Sequence, residues 1–351
     1  MKRQLAPNRK TKAPAPSADP ASIPSRPPRG AAKPAPASAD MFSPAAALRT
    51  PAMGSLLSIE HLSADEIRGM LQQAERWREL KVKHLLPDQR VALLFYEAST
   101  RTRVSFEFAA KSLGASTTLI TATASSIEKG ESLLDTGFTL EAIGVDVIVI
   151  RHPRAGAPHV MARNLRIPVI NAGDGMHEHP SQALADASTI LQQKKSIGGL
   201  KVVIVGDILH SRVARSNVHL LSKFGARITL CGPPELLPEY ASQLAAGVEI
   251  SRSLEQALAK ADVIMLLRVQ KERLIDLQLD VDDYVAAYQL TSERLALAHA
   301  DAIVMHPGPI MRGIELAGEI AELPQSKILD QVQNGLVIRQ ALLTRAFGIE
   351  I

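Results

Sequence analysis

From Ser55 onward the apolar residues fall into short compact runs separated by longer amphipathic stretches. Val91–Tyr96, Thr117–Thr121, Val145–Ile150 and Ile167–Ile170 are runs of four to six residues, rich in β-branched side chains and closed by polar or glycine residues. Lys201–Val205, Arg227–Leu230, Val248–Ile250, Val263–Leu267 and Ala302–Met305 repeat the pattern further along. Such runs read as strands buried on both faces, and between them the apolar positions recur at helical spacing. Ser63 followed by Glu66 forms a capping box that opens a helix running to about Val82. Phe106–Leu113 is helical and closed by Gly114, a helix follows the polar loop Ala124–Glu131 through Ile143, and another spans about Pro180 to Gln192. The chain ends in a helix over about Ile328–Ala346, with Asn334-Gly335 reading as a turn-like pair. Strand–helix alternation of this kind predicts an α/β protein built from two doubly wound parallel sheets. The two halves show no residue-level repeat.

Composition refines that picture at three points. The length of 351 residues suits about two domains with ample core. The single cysteine, Cys231, excludes an intramolecular disulfide and reads as packed at a strand end, which fits a reducing, cytoplasmic setting. No apolar run reaches the roughly 18 residues needed to cross a bilayer. The net charge of +4 is misplaced evidence for a nucleic-acid partner. Residues 1–50 carry nine Lys/Arg against Asp19 and Asp40, so the remaining residues sum to −3. That Pro/Ala-rich basic segment cannot bury enough surface to order itself, and reads as a disordered extension in preference to a transit peptide.

The chemistry gathers just past the strand ends, where open parallel sheets bind ligands. Glu97-Ala98-Ser99-Thr100-Arg101-Thr102-Arg103 lies where a strand turns into a helix, and unpaired N–H groups, hydroxyls and arginines there make an oxyanion site. Arg151-His152-Pro153, His179-Pro180-Ser181-Gln182 and His306-Pro307-Gly308-Pro309 occupy equivalent positions. Gly206-Asp207-Ile208-Leu209-His210-Ser211-Arg212 stands where a dinucleotide fold carries G-x-G-x-x-G, and that fingerprint is absent. Arg212 suits a carboxylate, and Arg268-Val269-Gln270 is again basic at a strand terminus. His177, His179 and His210 lack the cysteine cluster or H-E-x-x-H of a metal site, so no metal is expected, and no G-x-S-x-G elbow surrounds Ser99 or Ser211.

Taken together, Ser99–Arg103, Lys129-Gly130-Glu131, Arg151-His152-Pro153, His179–Gln182 and Arg268-Val269-Gln270 resemble the transcarbamoylase motif set, in its aspartate branch. His306–Pro309 followed by Arg312-Gly313 matches one subset of that family, and the resemblance covers about residues 51–351. It implies transfer of the carbamoyl group of carbamoyl phosphate to the amine of L-aspartate, early in pyrimidine synthesis, without a cofactor. Ser99, Thr100, Arg101, Thr102 and Arg151 match the phosphate cradle; His179 and Gln182 match groups around the carbamoyl carbonyl and amide. Ser125 and Lys129 match loop residues that reach into a neighbouring subunit's site, which implies a homotrimer. Arg212, Arg268 and Gln270 match the aspartate-binding set, together with Gly308 and Pro309, whose backbone carbonyls alone are needed. Ser181 stands where Thr is commoner and keeps the hydroxyl. The implied domains are a carbamoyl phosphate domain, 51–180 plus 335–351, and an aspartate domain, 181–334, the C-terminal helix packing back on the first. An ornithine enzyme is the rival within the family, disfavoured by Arg212, Arg268 and the absence of a His-Cys-Leu-Pro segment. A non-catalytic paralogue would have no need of these cations. Regulatory chains or a dihydroorotase partner are not legible in the residues.

Overall fold

A computed structural model describes residues 49–79, 84–121, 131–270, 274 and 277–349. The sequence expectations for residues 1–48, and for the end of the first helix at Val82, lie outside that set. The compact unit from Leu48 onward is built on two parallel sheets.

The first half runs α1 (Ala64–Glu79), β1 (Arg90–Phe95), α2 (Thr100–Ser112), β2 (Ser116–Thr121), α3 (Leu133–Ala142), β3 (Val147–His152), α4 (Ala157–Asn164), β4 (Val169–Asp174) and α5 (Pro180–Lys194). The second runs β5 (Lys201–Val205), α6 (Arg212–Lys223), β6 (Arg227–Cys231), β7 (Glu249–Ser251), α7 (Leu254–Leu258), β8 (Val263–Leu266), α8 (Val281–Tyr288), α9 (Ser292–Leu295), β9 (Ile303–Met305) and α10 (Ile328–Ala346). Strand orders are β2-β1-β3-β4 and β7-β6-β5-β8-β9, and every pairing is parallel.

The period-2 alternation of the inner strands divides their side chains between two cores, while the edge strands β2 and β7 stay partly exposed. Val91, Leu93, Phe95, Val147, Val149 and Ile170 face a large core, and Ala92, Leu94, Ile148, Ile150 and Val169 face a smaller one under α3 and α4. In the second sheet Val202, Ile204, Val263, Met265 and Met305 join the same large core, whereas Val203, Val205, Ile264, Leu266 and Val304 turn away to a third. One continuous apolar body therefore spans both sheets, filled by α1, α2, α5, α6 and α10. It ties the two halves into one unit.

Three expectations need adjustment. Strand β4 does not stop at Ile170 but continues through Asn171–Asp174, because the buried polar groups of Asn171 and Asp174 bond each other and the backbone. Helix α2 begins at Thr100, several residues before its apolar face, since its first turn faces the cleft. Asn334-Gly335 is no turn: it lies inside α10, where the Asn334 amide is buried and donates to Thr189 Oγ1 (2.8 Å). Gly335 leaves room there for the Arg339 guanidinium, which a Cβ would strike. The capping box of α1 forms as the spacing predicts, Ser63 N donating to Glu66 Oε2 (2.8 Å) and Glu66 N to Ser63 Oγ (3.2 Å). As expected, α10 packs back on α1, α2 and α5, and Cys231 is buried with its thiol pushed up to about 12 by burial.

Candidate active site

The carboxyl ends of β1, β3, β4, β5, β8 and β9 converge on one cleft between the sheets, as open parallel sheets require of a ligand site. It encloses a cavity of about 550 Å³. Ser99, Thr100, Arg101 and Thr102 line it from the N-terminus of α2, where the Ser99 side chain makes no capping hydrogen bond. Arg151 comes from the end of β3, His179 and Gln182 from the start of α5, Arg212 from the start of α6, and Arg268, Gln270, Gly308 and Pro309 from the loops after β8 and β9. Twelve of the fourteen expected residues thus share one cavity. Ser125 and Lys129 lie outside the described residues.

The chemistry of the wall is cationic. Burial, with the neighbouring Arg268, lowers the Arg101 pKa. Burial and Arg212 bring Arg151 down to about 10, against the opposing pull of Glu97, which leaves it charged at neutral pH. Glu97 stands at the centre of this charge: its Oε2 accepts from Arg212 Nη2 at 2.7 Å and lies 3.3 Å from Arg151 Nε. The first-half and second-half arginines are thereby held together by one carboxylate. The Gly308 loop closes over Arg101, and a Cβ at Gly308 (φ +68°) would stand 2.5 Å from Arg101 Cζ. Glycine is suited to that approach.

His179 is buried, with its Nε2 3.5 Å from Thr102 Oγ1 and its Nδ1 3.4 Å from Ser181 Oγ. Its backbone N–H donates to Ser216 Oγ (2.8 Å), which in turn donates to Glu178 Oε2 (2.7 Å). Burial first, then the charges of Arg151, Arg212 and Arg339, lower its pKa well below the ordinary value. The sequence left both protonation states open; the surroundings select the neutral imidazole at pH 7. The histidines weighed beside it are separately engaged, His177 Nδ1 with Asp174 (3.0 Å) and His210 Nδ1 with Asp207 (2.9 Å).

Residues to which the motifs assign no role hold the site together. Glu315 Oε1 accepts from Val269 N (3.0 Å) and its Oε2 from Met311 N (2.6 Å), joining the Arg268 loop to the Pro309 loop. His306 Nδ1 accepts from Gly308 N (2.8 Å), and its own N–H donates to Gln331 Oε1 (2.8 Å). Burial, with Arg101 and Arg268, pushes His306 down to about 3. Only the polar position of Glu315 in an apolar stretch and the His306-Pro307 dipeptide hinted at these roles.

Both buried histidines are lowered relative to the unfolded chain, so below the ordinary value of 6.5 unfolding takes up protons. Stability is therefore lost as pH falls below 6.5, down to about 3 for His306, by up to about 1.4 kcal/mol per pH unit for each group. His177, raised by Asp174, works in the opposite sense. The urea midpoint is expected to fall between pH 7.5 and 5.0, and His306→Asn, which can still accept from Gly308 N, to flatten the slope. An identical slope in that variant would remove His306 from the account.

Paired parallel sheets with a cationic cleft between them make a site for anionic substrates. Residues 55–192 match "Aspartate/ornithine carbamoyltransferase, carbamoyl-P binding domain", residues 198–346 match the corresponding Asp/Orn binding domain, and the chain belongs to this family. Among its relatives, the aspartate carbamoyltransferase catalytic subunit of Koribacter versatilis is 60% identical over 289 residues, 82% of this chain and 95% of that one. That of Solibacter usitatus is 53% identical over 298 residues, 84% of this chain and 99% of that one. In structure, the M. jannaschii aspartate transcarbamoylase catalytic subunit superposes with a TM-score of 0.76 at 34% identity, covering 84% and 98% of the two chains. The ornithine carbamoyltransferase of Pyrococcus furiosus gives the same TM-score at 29% identity, covering 85% and 99%. The fold is thus common to both acceptor classes, and the sequence relatives carry the distinction.

Proposed function

We propose that this protein transfers the carbamoyl group of carbamoyl phosphate to the amine of L-aspartate, giving N-carbamoyl-L-aspartate and phosphate. The observation that carries the reading is the convergence of Arg101, Arg151, Arg212 and Arg268 with a buried neutral His179 on one cavity. Phosphate sits on the N-terminus of α2, held by Ser99, Thr100, Arg101 and Thr102 and by Arg151. His179 donates to the carbamoyl oxygen, Gln182 receives the amide, Arg212, Arg268 and Gln270 clamp the dicarboxylate, and the carbonyls of the Gly308–Pro309 loop face the aspartate. The amine attacks the carbonyl carbon, negative charge builds on its oxygen, and the C–O bond to phosphate breaks; the departing phosphate takes the amine proton. Fixed cations and N–H dipoles at both centres of charge stabilise that transition state, and the cleft supplies orientation. Glu97 holds Arg151 and Arg212 in place until a substrate anion competes for them. Domains of 51–180 with 335–351 and of 181–334 divide the two substrates between them.

Carbamoyl phosphate offered with L-aspartate is expected to release phosphate, and with L-ornithine to release none above background. Phosphate release with ornithine alone would overturn the assignment. The product belongs to an early step of de novo pyrimidine synthesis, carried out in the cytoplasm. The working unit is a homotrimer whose sites are completed by Ser125 and Lys129 of a neighbour. Mixing inactive Lys129→Ala and Arg101→Ala chains tests that unit: hybrids should recover activity, and no recovery at any ratio would sink the shared site.

A further inference from the structure

Outside the cleft, three of the chain's ten histidines crowd the end of β4 and the first turn of α4. The His61 and His159 rings are 6.4 Å apart, and those of His159 and His177 are 5.6 Å apart. Beneath them Asp174 is fully buried at the end of β4. Its carboxylate accepts from Gly156 N (2.7 Å), Asn171 Nδ2 (2.8 Å) and Glu178 N (3.2 Å), which fixes it rigidly between α4 and the turn before His179. The remaining partner is His177 Nδ1, at 3.0 Å from Oδ2. His159 Nδ1 is buried and has no hydrogen-bond partner. One ligand atom from each of His159, Asp174 and His177 lies within 4.8 Å of the others.

We propose that His159, Asp174 and His177 form a binding site for a zinc-class divalent metal ion, separate from the transfer cleft. The chemistry of the donor set points to that class: two imidazole nitrogens and one carboxylate oxygen suit borderline d-block ions and not the all-oxygen shells of magnesium or calcium. The ion takes the position of the proton between His177 Nδ1 and Asp174 Oδ2, and that proton leaves to solvent. Zinc bonds of about 2.0–2.2 Å in a tetrahedron place ligand atoms roughly 3.3 Å apart, so the Asp174–His177 pair at 3.0 Å is already close to spacing, and His159, within 4.8 Å, has only to swing in. Exposed His61 or a water completes the four ligands. Three of the four fixed hydrogen bonds to Asp174 survive, and they supply the outer support that orients a metal-binding carboxylate.

A second group, Glu60, Glu178 and His219, has comparable spacing, but its buried member is already committed. Glu178 accepts from Ile59 N (2.8 Å), Glu60 N (3.1 Å) and Ser216 Oγ (2.7 Å), bonds that position the backbone of His179. It serves as the built-in control. None of His159, Asp174 and His177 lines the cleft, so the ion takes no part in carbamoyl transfer. Its effect is to pin the Gly175–Glu178 turn to α4.

The test uses the untagged full chain, stripped with a strong chelator, re-loaded with zinc against a chromophoric competitor and analysed for bound metal after gel filtration. One zinc per chain is expected, with His159→Gln and His177→Gln binding at least about tenfold more weakly and His219→Gln unchanged. His159→Gln should keep full turnover, which separates loss of the site from loss of the fold. Cobalt loaded into the wild-type chain should give the visible bands of a tetrahedral nitrogen–oxygen site, a readout needing no variant. No retained zinc in the wild-type chain, equal retention in His159→Gln and His177→Gln, or loss on His219→Gln instead would each overturn the proposal.

Discussion

Replacing Arg101 with alanine is expected to lower kcat/KM for carbamoyl transfer by about 10³-fold, mostly through kcat, with little change in thermal stability. Arg101 is the second residue of α2, so its guanidinium adds a full charge to a helix terminus already poised for an anion. It lies in the cavity beside Arg268 and against the Gly308 backbone. Charge on the phosphate rises as the C–O bond breaks, so a cation fixed at this point acts more strongly on the transition state than on the bound substrate. Removing a single preorganised donor costs about 10²–10³ in rate, and a charged group in a half-enclosed site belongs at the upper end. Arg101→Lys retains the charge but loses the planar fork that grips two phosphate oxygens, and should fall between. The folded state does not need this side chain: no acidic partner holds it among the described residues, and Arg268 repels it. A melting temperature equal to or slightly above wild type is therefore expected beside the lost turnover. Steady-state kinetics showing the alanine variant within about threefold of wild type would remove Arg101 from the transition state.

The parallel-sheet fold was legible because strands buried on both faces announce themselves as short apolar runs, and because their carboxyl ends must carry the ligand groups. Thr100–Arg103, Arg151, His179 and Arg268 could be placed on one side of two sheets before any coordinates. What holds them could not, because it depends on contacts between distant segments that leave no local pattern. Glu97 sits in the first motif, yet only the folded chain brings it to Arg151 and Arg212, 54 and 115 positions away. Glu315 is a lone acid whose two backbone partners, Val269 and Met311, come from different loops. Asn334-Gly335 misled for the same reason: its local chemistry favours a turn, but a buried amide bonded across to α5 keeps it helical. Along the chain His177 groups with His179 and His210 as a candidate ligand set; its partners in space are Asp174 and His159.

Asp186→Ala is expected to destabilise the folded chain by about 3–5 kcal/mol. Asp186 is fully buried in α5, where its Oδ1 accepts from Gln182 Nε2 and Gln331 Nε2 and its Oδ2 from Asn217 Nδ2, each at 2.8 Å. These donors come from three helices, α5, α10 and α6, and two of them belong to working parts of the site. Gln182 lines the cavity, and Gln331 accepts the backbone N–H of His306 ahead of Pro307–Pro309. Arg339, buried and stacked 5.2 Å from the Phe106 ring, feels the Asp186 charge, and its Nε has no hydrogen-bond partner. Burial raises the Asp186 pKa above its ordinary value, against the opposing pull of the Gln331, Asn217 and Gln182 amides and the Arg339 charge. Alanine would leave three N–H groups without acceptors at once and remove the carboxylate whose charge favours Arg339, and buried polar groups left unpaired are the costly case. A fall in melting temperature of roughly 6–12 °C is expected. Asp186→Asn keeps the volume and one acceptor but turns an N–H toward donors, so it should be less destabilised. Because the Asp186 carboxylate orients the Gln182 amide with its oxygen outward, Asn should also raise KM for carbamoyl phosphate more than KM for aspartate. A melting temperature within about 2 °C of wild type in the alanine variant would show that the three amides find other acceptors. Equal changes in the two KM values would separate Asp186 from the orientation of Gln182.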